Sequence, residues 1–478
     1  MAIELSNLTF TDQDDIVPAS GVEQILNTGI ANTLAGNDTI TGVNNYSDPS
    51  GEHGIYNSGT FNTADGNDII TGRGSPEGVG IYNDKTGTFN TGEDNDIITA
   101  ASVGGIYNSG TFNTAEGNDI IVADGLPYYG ISTSGTFNTG EGNDIITSTG
   151  GLFYGIGVST LGTFNTAEGD DVITGTGTYD GIVIEGIFDT GDGNDRISGS
   201  GYMMSEWTTS RGIFNSFNFN TGDGNDTIEG SGFYGIYNEA LINTGNGKDI
   251  ITGNGGFNPF VINTTSISNF STINTANDDD IITANGRIEN YGNIDIGDGD
   301  DSIIAHTYSL NRAAIENFNF IGTGDGNDII TSTGVIYNEG IINTGNGDDS
   351  IIVDGGVDGT GTGYGIYNNG GAINTGDGND SIIANEGFES APNSSGAWFL
   401  GEGEDYIKGF GSGDFYGGNG QDTLELTPGT YTVGRWGATV TFSKGSSLML
   451  ASEFEELIAG GTTHLFASLT QGQTIVVA

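Results

Sequence analysis

A nine-residue turn and strand, Thr190-Gly191-Asp192-Gly193-Asn194-Asp195-Arg196-Ile197-Ser198, returns in close variants along nearly the whole chain, and everything else must fit between its copies. Two glycines two apart let the backbone turn through positive φ and gather its carbonyls, an Asp closes the turn, and Ile197 opens a strand. Marked by that Asp, the copies end at Asp38, Asp68, Asp96, Asp119, Asp144, Asp171, Asp195, Asp226, Asp249, Asp280, Asp301, Asp328, Asp349, Asp380, Asp405 and Asp422. As far as Asp380 the interval averages about 26 residues, a period that specifies a solenoid.

Each interval divides into three short strand-like pieces. The second coil reads Gly54-Ile55-Tyr56-Asn57, then Thr60-Phe61-Asn62-Thr63, then Gly66-Asn67-Asp68-Ile69-Ile70-Thr71. The expected fold is therefore all-β: a parallel β-solenoid, resembling a β-helix or β-roll, with about three short strands per coil and a small C-terminal β module. Inward columns are expected at Phe61, Phe89, Phe112, Phe137 and Phe164, and at Ile70, Ile98, Ile121, Ile146 and Ile173. In the short coil after Asp280, Ile282, Ile288, Ile294 and Ile303 are the inward candidates. About fifteen coils at ~4.8 Å would stack on the order of 70 Å. Residues 1–24 lack the repeat and read as an N-terminal cap, 25–400 as the solenoid, and 401–478 as further turns followed by hairpins at Tyr431-Thr432-Val433 and Ala438-Thr439-Val440-Thr441-Phe442.

Simple alternation breaks at one place. The residue after each marker Asp should face outward, yet Ile69, Ile97, Ile120, Ile145, Val172, Ile250, Ile281 and Ile329 are apolar, which suggests a surface covered by a loop or another molecule. Residues 199–212 form an insertion carrying Trp207 and Arg211, a contact point or a loop folded back on the wall.

The spacing resembles the RTX calcium-binding nonapeptide G-G-x-G-x-D-x-U-x, with Thr190 in place of the first Gly. Gly417-Gly418-Asn419-Gly420-Gln421-Asp422-Thr423-Leu424-Glu425 satisfies every position. Both glycines and the Asp are kept in the copies ending at Asp144, Asp195, Asp226, Asp249, Asp301, Asp328, Asp349, Asp380, Asp405 and Asp422, and Ala replaces the first Gly before Asp68, Asp119 and Asp171. These thirteen aspartates are the expected ligands of several Ca²⁺ ions. Bare, a column of carboxylates at ~4.8 Å repels itself, and a hard cation between neighbouring turns would make it attractive. The copies at Asp96 and Asp280 put Asp94 and Asp278 where the second Gly belongs, and binding is least expected there. The same residues also suit plain tight turns, with the column held by Asn and Thr hydrogen bonds.

Composition narrows the function. In 478 residues there are 86 Gly, 10 Lys+Arg and 63 Asp+Glu, for a net charge of −53, so nucleic acid is an unsuitable partner. Without Cys there are neither disulfides nor thiolate metal sites. His53, His306 and His464 fall in unrelated parts of the repeat, and no Ser/His/Asp arrangement stands out, so no enzyme is expected. No apolar run spans a bilayer, and Met1-Ala2-Ile3-Glu4-Leu5 opens no cleavable signal peptide. The resemblance implies export by a type I route with an uncleaved C-terminal signal, compatible with Thr474-Ile475-Val476-Val477-Ala478.

The leading expectation is a secreted, calcium-binding structural protein of the cell surface or extracellular matrix, able to self-associate into layers or filaments and to meet cell-surface glycans. An alternative is a polysaccharide-acting β-helix enzyme or adhesin, disfavoured by the scattered basic residues. A third is ice binding through an outward ladder of Thr71, Thr99, Thr147 and Thr174, interrupted by Val122, Ser198 and Glu229.

Overall fold

The computed structural model describes the chain except residues 1, 19–22, 46–51, 203–208, 257–264, 308–311, 358–362 and 391–395. The parallel β-solenoid is present, with three strands in each full coil. The first sheet is built from strands such as Ile55–Asn57, the second from strands such as Thr60–Asn62, and the third from strands such as Ile69–Arg73. The solenoid strands pair in parallel with their counterparts one coil on, with Ile55 opposite Ile81, Phe61 opposite Phe89 and Ile70 opposite Ile98, and the register shifts locally at Thr265/Ile267 and Ala313/Ile315. The chain forms two compact units, Met1–Asn246 with Ile251–Phe260, and Gly247–Ile250 with Val261–Ala478.

Strand alternation sets what lies inside. Ile55, Phe61 and Ile70 are fully buried, and their equivalents repeat at every level. The phenylalanine column is a stack of parallel rings, with Phe112, Phe137 and Phe164 at centroid spacings of 4.7 and 5.0 Å and interplanar angles of 1° and 3°. In the second unit the column continues with Ile273, Ile294, Ile321, Ile342 and Ile373, all buried. Ile282, Ile288, Ile294 and Ile303 face inward as expected.

The corners between sheets are polar inside. Where the first sheet turns into the second, Asn27, Asn57, Asn83 and Asn108 are buried and linked in sequence, each Nδ2 donating to the Oδ1 of the next Asn at 2.8 Å. Asn83 Nδ2 also donates to the Thr111 carbonyl at 2.8 Å. Replacing Asn83 with Leu would take the donor from Asn108 Oδ1 and an acceptor from Asn57 Nδ2, both on buried residues. A loss of about 2–4 kcal/mol is expected in urea unfolding, against less than about 1 kcal/mol for an Asn on the outer face.

The N-terminal segment, expected to act as a cap, supplies strands to the sheets themselves. Ala2–Glu4 pairs with Gln24–Asn27, and Ile16–Val17 with Thr39–Val43. At the other end the expected hairpins form. Gly429–Trp436, Thr439–Lys444 and Ser447–Ser452 run antiparallel, and Ser447–Ser452 returns to pair in parallel with Gly413–Gly420. The first sheet ends at Phe388–Glu389, so the 17 residues from Asp405 to Asp422 form a coil with strands in the second and third sheets only. Among the described residues no helix is long and apolar enough to cross a membrane.

Candidate cation-binding corner

The second sheet passes into the third through the glycine turn. Gly191 and Gly193 have φ of 84° and 151°, and a Cβ on Gly193 would sit 1.9 Å from the Gly169 carbonyl oxygen of the preceding coil. Glycine is required there by close stacking as well as by backbone angle. Turns that depart from the motif keep its shape: Ala64, Ala115 and Ala167 adopt φ of 63°, 68° and 62°, and Asp94 adopts 82°.

Alternation carries the marker Asp inward. Ile70 faces the core and Ile69 faces solvent, so Asp68 faces the core again, and the whole row from Asp38 to Asp422 is buried. The row includes every aspartate expected as a ligand: Asp68, Asp119, Asp144, Asp171, Asp195, Asp226, Asp249, Asp301, Asp328, Asp349, Asp380, Asp405 and Asp422. Asp96 and Asp280, where binding was least expected, stand in the same row and make the same bonds. Along the row the backbone N–H donates to Oδ1 of the Asp one coil on, as from Asp68 to Asp96, Asp119 to Asp144 and Asp301 to Asp328, all at 2.8 Å, and at its end Asp422 N–H donates to Glu455 Oε2 at 2.9 Å.

The other carboxylate oxygen is less well served. Oδ2 of Asp68, Asp119, Asp144, Asp171, Asp195, Asp301, Asp349, Asp380, Asp405 and Asp422 is buried without a hydrogen-bond partner. A buried Thr stands five residues before each of the first five of these, but its single proton is commonly committed elsewhere: Thr63 and Thr114 donate to the carbonyls of Thr91 and Thr139 at 2.8 and 3.0 Å. Thr323 is an exception, donating to Asp328 Oδ2 at 2.6 Å. Burial pushes these carboxyls up, to about 7 for Asp68, Asp144 and Asp195 and to about 8 for Asp171, with the neighbouring Thr and the backbone N–H pulling partly back.

Outside the same turn run two exposed rows. One holds the residue between the two glycine positions, acidic in seven successive coils: Asp65, Glu93, Glu116, Glu141, Glu168, Asp192 and Asp223. The other holds the residue before the marker Asp, stitched in the opposite direction to the buried row. Asn67 N–H donates to Asn37 Oδ1 at 2.8 Å and Asn143 N–H to Asn118 Oδ1 at 2.7 Å. Glu93, Glu116, Glu141, Glu168 and Asp192 line one open groove along this edge. The repeat spacing pointed to the buried row. The exposed row was legible as an acidic residue recurring between the glycines.

The corner thus offers oxygen donors alone: carboxylates inside, carboxylates and amide oxygens outside. That set suits calcium, which takes six to eight oxygens. Among the described residues no three carboxylate or imidazole groups converge on one point. A calcium ion here would draw on neighbouring coils and complete its shell with turn carbonyls and water.

The outward apolar row is also in place. Ile69, Ile97, Ile120, Ile145 and Val172 are 37–44% exposed, so no described loop covers them. Two residues on, Thr71, Thr99, Val122, Thr147 and Thr174 lie in register, broken at Val122. An unbroken threonine row runs instead along the second sheet, through Thr60, Thr88, Thr111, Thr136 and Thr163. Trp207 of the insertion lies outside the described residues; Arg211 belongs to the wall itself, opening the first-sheet strand Arg211–Asn215, paired with Asp180 at 2.8 Å and stacked 3.7 Å over Phe214. No protein-family model matches the chain, and no curated protein matches it.

Proposed function

We propose that the protein is a secreted, calcium-binding structural solenoid of the cell surface or extracellular matrix, in which ions bind along the glycine corner. One observation carries this reading: in coil after coil the same corner places a buried carboxylate oxygen with no donor next to an exposed row of acidic side chains. Unneutralised, both rows oppose stacking, because like charges would repeat at ~4.8 Å. Divalent cations would make the same rows cohesive. The net charge of −53 would keep the chain expanded where calcium is scarce and let it order where calcium is plentiful. Export as an unfolded chain through a type I route suits that behaviour, and the exposed Ile row supplies a surface for self-association.

Calcium titration followed by circular dichroism and thermal melting tests the reading. Each ion at a hundred times its dissociation constant adds about 2.7 kcal/mol. Several ions should therefore raise the melting temperature by more than about 10 °C over that in chelator. Identical melting curves in chelator and in millimolar calcium at about pH 8 would defeat it.

A further inference from the structure

The outer face of the first sheet changes character along the chain. Near the N-terminus its aromatic rings cover one another: His53, Tyr82 and Tyr107 stack at centroid spacings of 4.5 and 4.8 Å with interplanar angles of 25° and 20°. Only ring edges then meet solvent. That order breaks within the first unit, where Tyr107 and Tyr129 lie at 50° and Phe214 and Tyr237 at 47°, and the rings are tilted again in the second. Tyr337 and Tyr367 stand at 71° to one another, and Tyr364 is tilted 52° from Tyr367, each pair 5.3 Å apart. The break opens a pocket walled by Tyr337, Tyr364, Tyr367 and Val335, with Arg312 and Glu316 among its lining residues.

The polar groups of this pocket differ in what they have left to offer. Glu316 is committed to Arg287, which is buried and lies 3.0 Å away. Tyr337 donates to Glu339, and Asn369 donates to Tyr337 at 2.9 Å, which fixes that wall. Arg312 is exposed, and among the described residues no carboxylate lies within ion-pair distance of it. A guanidinium beside tilted aromatic rings suits a ligand that presents a flat C–H face together with a carboxylate.

We propose that this pocket binds a hexuronate residue of an acidic glycan, the pyranose lying against Tyr364 and Tyr367 and its carboxylate paired with Arg312. The charge of the rest of the chain acts against an anion at long range, but beyond ~8 Å physiological salt screens it, so the choice of ligand is made locally. The assignment is independent of calcium binding at the glycine corner, which lies on another edge of the coil.

Saturation-transfer difference NMR on the full chain, with methyl glucuronide and methyl glucoside as probes, tests it. Transfer to the glucuronide is expected, with at least about tenfold weaker binding of the glucoside. Arg312→Gln should remove that preference, and Tyr367→Ala should weaken binding of the glucuronide about tenfold, both with unchanged far-UV circular dichroism. No transfer to either probe, equal transfer to both, or transfer unaltered in the Arg312→Gln variant would overturn the assignment.

Discussion

In chelator the protein is expected to melt more than about 10 °C higher at about pH 5 than at about pH 8. This is opposite to the usual behaviour of carboxylates held in ion pairs. Burial raises the inner carboxyls, Asp68 and Asp195 to about 7 and Asp171 to about 8, above the ordinary value that the unfolded chain retains. Between those two values the folded state holds protons that the unfolded state has released. Stability is therefore greatest at low pH and falls as pH rises through the folded values. At the levels that carry a Thr, a protonated Oδ2 can donate to its hydroxyl, which can in turn donate to the next coil, as Thr63 and Thr114 do; Asp301, Asp405 and Asp422 have Ile296, Leu400 and Gly417 there instead. Asp144→Asn tests this at a single level. Its amide oxygen would still accept from Asp119 N–H, while its amide nitrogen would donate to Thr139 Oγ1, which is buried without a partner. The variant should be about 1–3 kcal/mol more stable than the parent at about pH 8 in chelator, and lose that advantage in calcium if Asp144 is a ligand. A pH-independent melting temperature in chelator would show that the inner row does not carry these protons.

The largest single-residue loss is expected from Phe137→Ala. Phe137 is fully buried between Phe112 and Phe164, with both neighbours parallel to it within 3°. Truncation removes two ring contacts and leaves a void that strands pinned in register on both sides cannot collapse to fill. A cost of about 3–5 kcal/mol is expected in urea unfolding, while Phe137→Leu, which keeps most of the volume, should cost about 1–2 kcal/mol. Each coil contacts only its neighbours, so hydrogen exchange should speed up first in the coils around Phe137. Protection lost evenly along the unit would mean instead that it unfolds as one cooperative body.

Most of the architecture was legible because the repeat is long and its phase is kept. The Phe61 and Ile70 columns follow from alternation within short strands, and the outward Ile69 row from the same count. The direction of Asp68 was legible by that count too, since it stands two residues before Ile70. Gly-Asn-Asp, however, reads first as a solvated turn, and burying a row of acids becomes reasonable only once Thr63 and the N–H of the preceding Asp are known to flank it. The pocket around Tyr364 was not legible at all. Tyr337 and Tyr367 belong to the same column as Tyr82, and only the angles between their rings separate a closed stack from an open wall.

The inner Asn and Asp chains run one way along the coils, each level donating to the one after it, while the outer Asn row runs the other way. Coils that keep Asn at this corner, such as those of Asn57, Asn83 and Asn108, therefore present the same donors on one side and acceptors on the other, while Thr133, Val158 and Ile184 interrupt the Asn chain and leave the Asp chain running. A duplication or deletion spanning one whole period, such as from the residue after Asp68 through Asp96, would rejoin all three chains. One that cut within a period would sever them. Length in such a molecule can change by recombination in whole steps, which makes the number of coils a trait that selection can adjust without redesigning any of them.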